Sequence, residues 1–301
     1  MAHIQYEEHK FQQRTLDKIE SVNEIIADYQ EQGFKLTLRQ IHYQFVARGL
    51  GPNTPNAYRT LGDTIRKGRH AGLIDWDMIE DRTRSLRGLG SYTDPESAIW
   101  RAMALYRRDL WVNQPRRYEV WIEKNALIGI IQPVCGELDV DYFTTIGYSS
   151  NTALWEASQR HIRYNKEGQD VIVLHMGDHD GEGFDITRDI ENKLRLYGAS
   201  VEVRRIALNM NQVREYNPPP AFSKESSSRH EAYVETHGTD EVWELDALEP
   251  LVMADLIRDN VEIDQDRLNE TKQLVEREKA DLRAIWMHYD EVVELARKLD
   301  E

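Results

Sequence analysis

The sequence predicts an α/β protein in which a helical N-terminal domain precedes a Rossmann-like parallel-sheet domain with a C-terminal helical region. Three observations predict this class. Apolar residues recur at helical spacing over the first third of the chain, strand-like and helix-like segments alternate from about residue 117, and residues 264–301 are charged with helical spacing. The composition shifts near Gln114, so we predict domains at residues 1–114 and 115–301.

Three helices are predicted in the first domain, at about residues 12–32, 38–49 and 55–72. A short extended segment is predicted after them at residues 73–81. Three helices and a strand, with basic residues on the third helix, are typical of a winged helix-turn-helix. Many small helical domains share this pattern, so by itself it indicates DNA binding only weakly.

The second part of the chain begins after a turn-rich linker at 88–95 and a helix at 96–111. Strands are predicted at 118–123, 141–148, 171–178 and 201–208, with helices between them. This alternation indicates a parallel sheet with helices on both faces, whose sites lie at the carboxyl ends of the strands. The tail at 264–301 is predicted to be a helix pair or one long helix.

Composition narrows the functional classes. A chain of 301 residues, 40% hydrophobic and 30% charged, is long enough to bury a core. It has no run of 18 apolar residues and no secretory leader, so we expect a soluble, cytoplasmic protein without a membrane partner. The single cysteine, Cys135, excludes an internal disulfide framework and a CxxC metal site.

The charge distribution qualifies the net charge of −15, which by itself argues against nucleic acid. The first 116 residues hold 17 Lys and Arg against 15 Asp and Glu, a net charge of +2, so residues 117–301 carry a net charge of −17. A basic cluster in this part could contact double-stranded DNA, or it could be a solvated helix face balanced by neighbouring acids. Its members are Arg59, Arg66, Lys67, Arg69, Arg82, Arg84 and Arg87, next to Tyr58 and Trp76.

Carboxylates follow two of the predicted strands. Glu123 ends the first, next to Lys124, and Asp178, Asp180 and Glu182 follow the third in the segment GDHDGEG. Oxygen ligands of this kind suit Mg²⁺ or Mn²⁺, and such a metal polarises a phosphodiester. Two alternatives are a polar helix N-terminus capped by Asp180 and a calcium loop, which the leading strand disfavours.

These motifs resemble a known family. The segments EKNA at 123–126, GYS at 147–149 and DHDGEG at 178–183 look like the Toprim domain of type IIB topoisomerase A subunits and of the meiotic double-strand-break protein. Upstream, RQIHY at 39–43 resembles the catalytic-tyrosine segment of that family. The resemblance covers about residues 35–210. Within the family, the chain resembles the short, phage- and plasmid-associated forms called mini-A proteins.

The resemblance implies a DNA topoisomerase-like transesterase. Tyr43 would attack a DNA phosphodiester and form a tyrosyl-phosphate bond, while Glu123, Asp178 and Asp180 hold Mg²⁺. It also implies a homodimer in which the tyrosine of one protomer meets the metal site of the other. Since the chain has no ATP-binding P-loop, strand passage would need a separate ATPase subunit.

A phenol needs a neighbouring cation or base to attack at neutral pH, and Arg39, one turn before Tyr43, and His42 are candidates. Arg39 could equally bind the scissile phosphate, as could Lys124. Without the family resemblance, a tyrosine that recurs at helical spacing with apolar residues, as Tyr43 does, is more often part of the core.

The sequence departs from the family in two places. Ser149 and Ser150 stand where the family shows an acid, and Glu182 follows a glycine where proline is common, so Glu182 could be a further ligand or a base that activates water. A Toprim-type DNA endonuclease using water is therefore one alternative, and a non-catalytic DNA-binding regulator is another. The later acids Glu244 and Asp246 in WELDAL are interpreted as a surface turn.

Overall fold

The computed structural model describes residues 3–79, 91–221 and 228–299. Two compact units divide the chain: unit 1 is formed by residues 1–84 and 118–261, and unit 2 by residues 85–117 and 262–301. The described helices are α1 (Gln13–Glu31), α2 (Leu38–Ala47), α3 (Pro55–His70), α4 (Pro95–Leu105), α5 (Ile128–Leu138), α6 (Asn151–Lys166), α7 (Gly181–Leu196), α8 (Met210–Tyr216), α9 (Ser228–His237), α10 (Pro250–Asn260), α11 (Gln265–Met287) and α12 (Tyr289–Leu299). The strands are β1 (Arg116–Ile122), β2 (Asp141–Thr144), β3 (Asp170–Met176) and β4 (Val201–Ala207).

The three predicted N-terminal helices are present as α1, α2 and α3. Their starts follow local chemistry: Thr37 and Gln40 form a reciprocal capping box at α2, and Thr54 caps α3, whose first residue is Pro55. Their apolar stripes pack together around buried side chains such as Val22 and Ile41.

The extended segment predicted for residues 73–81 is wrong over the described residues 73–79. The backbone there bends, because the Asp75 carboxylate accepts a hydrogen bond from the Asp77 backbone N–H at 2.9 Å and closes an Asx turn. Only an isolated bridge pairs Leu36 with Ile79. No second strand of a wing is formed in this part of the described chain, so the winged-helix assignment stays a prediction.

The predicted parallel sheet is confirmed. Four strands pair in the order β2-β1-β3-β4, all parallel, as in a Rossmann-like domain. One cluster of its core joins Trp121 of β1 and Val173 of β3 to Leu154 of α6 and Ile190 of α7. Because β1 and β3 are the central pair, the loops after them meet at the carboxyl edge, where the Glu123 N–H donates to the Met176 carbonyl at 2.9 Å.

Unit 2 contains α4, α11 and α12. Helix α4 packs against α11, and Glu278 of α11 accepts hydrogen bonds from the Tyr106 hydroxyl at 2.7 Å and from Arg108 Nε at 2.6 Å. The charged tail is a helix pair rather than one helix, with the break at His288. The predicted division at residue 114 stays a prediction; within unit 1, α1–α3 and the sheet form one compact body.

None of the helices in the described residues combines the length and the apolar character that crossing a membrane requires.

Candidate active site

The loops after β1 and β3 bring Glu123 and Asp178 together. Glu123 Oε2 accepts a hydrogen bond from the Asp178 backbone N–H at 3.0 Å. Glycine at position 177 allows this approach, since a Cβ there would lie 2.9 Å from Glu123 Oε2 and the carboxylate would have to shift. The glycine before the acidic pair therefore makes room for the carboxylate of the neighbouring strand.

Lys124 lies within a group of three carboxylates. Its Nζ is 2.8 Å from Asp178 Oδ2, 3.0 Å from Glu244 Oε2 and 2.9 Å from Asp246 Oδ2. The Asp246 side chain is fully buried, and its two oxygens form no geometrically acceptable hydrogen bond despite the ion pair with Lys124. This is a buried group with more negative than positive charge, which favours an added cation.

The interpretation of Glu244 and Asp246 as a surface turn is wrong. Residues 245–247 form a buried 3₁₀ turn, and the Leu245 N–H donates to Asp178 Oδ1 at 2.8 Å. The apolar residues that alternate with the two acids draw the segment inward, because Trp243 and Leu245 are both buried. That alternation was the available signal for a buried acidic turn.

Helix α2 adds Arg39 and Tyr43 to this group. Arg39 forms an ion pair with Glu244, and the Tyr43 hydroxyl lies close enough to the same carboxylate for its charge to raise the pKa of the phenol. A cavity of about 210 Å³ opens beside them, lined by residues that include Arg39, His42, Tyr43 and Glu244. The predicted nucleophile is thus linked through Glu244 and Lys124 to Asp178 within one chain.

Burial and mutual repulsion set the protonation of the site. Burial raises the pKa of Asp178 to about 7, and the nearby charge of Glu123 adds to the effect although Lys124 opposes it. Burial also raises the pKa of Glu123. The pKa of the Tyr43 hydroxyl is raised by burial and by the charge of Glu244, and Arg39 offsets only part of this. Glu123, Asp178 and the Tyr43 phenol therefore resist ionisation, whereas the charges of Lys124 and Arg39 lower the pKa of Glu244 although burial opposes them.

Asp180 and Glu182 have different surroundings. Asp180 Oδ1 caps α7 by accepting from the Gly183 N–H at 2.7 Å, which is the capping role considered for the sequence. Glu182 is exposed in the first turn of that helix. In the part of the chain that the structure describes, the predicted ligands do not place three ligand atoms within 4.8 Å of one another.

The donor set still fits a hard divalent cation. Mg²⁺ usually binds proteins through one or two carboxylates and completes its shell with water and phosphate oxygens. Glu123 and Asp178 provide two such carboxylates, and since burial raises the pKa of both, a bound cation would favour their ionised forms.

Arg205 of β4 is a site residue that sequence reasoning missed. Its buried guanidinium donates to the carbonyl oxygens of Gly177 and Gly183, both at 3.0 Å, and to Thr187 Oγ1 at 2.8 Å. Burial lowers its pKa to about 10, while the charges of Glu123 and Asp178 act against that shift. Arg205 thus stabilises the loop that carries Asp178 and Asp180. The sequence did not indicate this role, because Arg204 stands next to it in the same strand and nothing in the sequence shows which of the two arginines contacts the loop.

The predicted DNA-binding residues divide into three groups. Arg59, Arg66 and Lys67 are exposed on α3. Arg69 instead donates to the carbonyl oxygens of Trp76 and Ile79 and lies over the Trp76 ring at 5.1 Å, so it ties α3 to the following loop. Arg82 and Arg84, together with Arg87, lie outside the described residues.

A larger cavity of about 550 Å³ runs beside α3. Its lining includes Arg39 and Tyr58, which also line the smaller cavity, together with Arg66 and Asn125. The exposed face of α3 therefore borders a cleft that shares residues with the cavity at Tyr43.

No protein family, curated protein or solved structure matches this chain. The resemblance to the Toprim proteins therefore rests on the quoted motif residues, and the contacts within the site have to support any functional proposal.

Proposed function

We propose that this protein cleaves double-stranded DNA by Mg²⁺-dependent transesterification, with Tyr43 as the nucleophile, in the manner of a topoisomerase A subunit with a winged helix and a Toprim domain. The observation that carries the proposal is the chain of contacts from Tyr43 through Glu244 and Lys124 to Asp178. These side chains come from segments far apart in sequence, and a tyrosine needed only for the core would not require an arginine and a buried acidic group at its hydroxyl.

Each residue has a role in the proposed reaction. Arg39 and Lys124 bind the non-bridging oxygens of the scissile phosphate, for which a planar guanidinium and an ammonium are suited. Glu244 lies beside the Tyr43 hydroxyl and orients it; because the charges of Lys124 and Arg39 lower the pKa of Glu244, the proton of the hydroxyl passes to water as the oxygen attacks. The Tyr43 oxygen then bonds to phosphorus, the bond from phosphorus to the 3′ oxygen breaks, and that oxygen leaves as a hydroxyl after protonation by water.

Glu123 and Asp178 would hold Mg²⁺, with Mn²⁺ as a substitute, and Asp180 would bind it through water since its Oδ1 already caps α7. When bound, the metal supplies positive charge to the phosphate and to the leaving oxygen. The exposed residues Arg59, Arg66 and Lys67 would contact the DNA backbone along the cleft beside α3.

A Toprim-type endonuclease that uses water is the second candidate. Two observations favour it: Tyr43 is only 5% exposed, and its raised pKa opposes formation of the phenolate. In that case Glu182, exposed at the start of α7, would activate the water.

An adduct assay separates the two reactions. Supercoiled DNA is incubated with the protein and Mg²⁺, denatured, and examined for protein attached to 5′ ends. We expect adducts with the wild-type protein and with the control Tyr142→Phe, whose side chain is exposed on β2, and none with Tyr43→Phe or Asp178→Asn. Cleavage by Tyr43→Phe without adducts would establish the endonuclease instead. DNA binding with no cleavage by the wild-type protein would indicate a non-catalytic regulator.

A homodimer and a separate ATPase subunit are further parts of the proposal that come from the resemblance alone. The contacts of Tyr43 and Arg39 with Glu244 lie within one chain, so they support an active site completed in cis rather than one shared between protomers.

A further inference from the structure

We propose that Glu7, His9 and His70 form a binding site for a transition-metal ion such as Zn²⁺, separate from the Mg²⁺ site and independent of the proposed DNA cleavage. One carboxylate oxygen and two imidazole nitrogens from these residues lie within 4.8 Å of one another, the only such group in the described residues. Two imidazoles and a carboxylate suit Zn²⁺ and its neighbours in the first transition row.

The spacing of the three side chains fits a metal shell. Glu7 Oε2 is 3.0 Å from His9 Nε2, and Glu7 Oε1 is 3.1 Å from His70 Nδ1. Ligand atoms bound tetrahedrally at about 2.0–2.1 Å from Zn²⁺ are about 3.3 Å apart, so both Glu7–His distances are close to those within a zinc shell.

The two imidazole nitrogens also lack the partners that buried polar atoms normally have. His9 Nε2 and His70 Nδ1 are both shielded from solvent, and neither makes a contact with hydrogen-bond geometry in spite of its closeness to Glu7. Each nitrogen instead faces an oxygen of the Glu7 carboxylate, and a cation bound among the three side chains would supply the partner that both nitrogens lack.

The backbone holds these ligands in place. The N–H groups of Tyr6 and Glu7 donate to the His70 carbonyl at 2.7 and 3.0 Å, and Gln5 pairs with Ala71 in an antiparallel bridge. The His70 ring stacks on Trp76 with 6.0 Å between ring centres. Fixed ligands lose little conformational freedom when the metal binds, which strengthens binding.

The location favours a cation as well. His70 is the last residue of α3, where the helix dipole places partial negative charge. A bound metal would fasten the N-terminal segment at residues 5–9 to the end of the helix that carries the exposed basic residues. Water would complete the fourth position, because Glu7 is exposed.

Cobalt is the probe for the test, since Co²⁺ replaces Zn²⁺ and its visible absorption reports four- or five-coordinate nitrogen and oxygen ligation. The full-length protein, freed of metal with a chelator, is titrated with Co²⁺ in excess Mg²⁺. We expect visible bands that saturate at one equivalent, disappear when Zn²⁺ is added, and remain in Asp178→Asn, which separates this site from the proposed active site.

Variants of the ligands identify the site. Loss of an outer-shell partner alone weakens metal binding about 10–100-fold, so His9→Ala and Glu7→Gln should weaken Co²⁺ binding by more than tenfold. The matched control is His288→Ala, which removes an exposed histidine that lies 3.2 Å from Glu291 and belongs to no group of three possible ligands among the described residues. Circular dichroism confirms that each variant is folded. Absence of visible bands in the wild-type protein, or bands unchanged in His9→Ala, would overturn the proposal.

Discussion

Tyr43 and Arg39 show what a single helical turn contributes to the site. They stand four residues apart on α2, so their side chains lie on the same face, and both reach the Glu244 carboxylate. Their proximity follows from the sequence alone. Their contact with Glu244 does not follow from the sequence, because no local spacing relates residue 43 to residue 244. Burial raises the pKa of the phenol, and the carboxylate that adds to this effect comes from a distant turn.

His175 on β3 makes a pH dependence measurable at the residue scale. Burial and the charge of Arg205 lower its pKa to about 3, while in the unfolded chain it titrates near 6.5. The unfolded state therefore takes up a proton as the pH falls below about 6.5 and the folded state does not. This group stabilises the fold above that pH, and its contribution is lost progressively as the pH falls towards 3.

We expect the difference in unfolding free energy between the wild-type protein and His175→Gln to change by about 2 kcal/mol from pH 7 to pH 5, with the wild type losing more stability. Urea denaturation at the two pH values measures it. His288→Gln, at the exposed break between α11 and α12, serves as the control and should show the same pH dependence as the wild type. If the unfolding free energies of His175→Gln and the wild type changed equally with pH, the His175 imidazole would not be held neutral in the folded protein.

The elements differ in how far the sequence could predict them. The strands and helices of the sheet domain follow from the alternation of apolar segments, and the meeting of Glu123 with Asp178 follows from the rule that sites lie at the carboxyl ends of parallel strands. The buried turn with Glu244 and Asp246 was misjudged because its position depends on a long-range contact with Asp178. Residues 73–79 were misjudged because a side-chain turn at Asp75 overrides an apolar pattern.

The start of α7 depends on a glycine. A Cβ at Gly183 would lie 2.2 Å from the Asp178 carbonyl oxygen, a distance that no side chain can accommodate without backbone movement. We expect Gly183→Ala to destabilise the fold by about 1–3 kcal/mol and to weaken Mg²⁺ binding, since the displaced carbonyl belongs to a predicted ligand. Thermal unfolding and isothermal titration calorimetry measure the two effects.

Gly136 in α5 is the matched control, because a Cβ added there meets nothing within 4 Å. Gly136→Ala should stabilise the protein by about 0.5–1 kcal/mol, as expected for an exposed helical glycine. If both substitutions changed the free energy of unfolding in the same direction, the close approach of the Asp178 carbonyl would not be the reason for glycine at position 183.

At the scale of the whole molecule, the arrangement of the active site decides what mixed protomers can do. If Tyr43 acts within its own chain, a mixture of Tyr43→Phe and Asp178→Asn proteins contains no intact site. We expect such a mixture, refolded together, to be as inactive in DNA cleavage as either variant alone. Light scattering with and without DNA establishes whether dimers form.

Restored cleavage in the mixture would show that the tyrosine of one protomer works with the acids of the other, as the family resemblance implies. A wild-type homodimer without restoration would be consistent with a dimer whose two sites are each complete.

The contact between Arg39 and Glu244 also has a kinetic consequence. The residues it joins are separated by 205 positions, and the segment at 85–117 that interrupts unit 1 belongs to the other compact unit. Contacts this distant in sequence form only after large loops have closed, which slows folding. The nascent chain therefore has to be made past Asp246 before the tyrosine acquires its acidic neighbours, so a chain terminated before that turn would carry the nucleophile without the groups that position it.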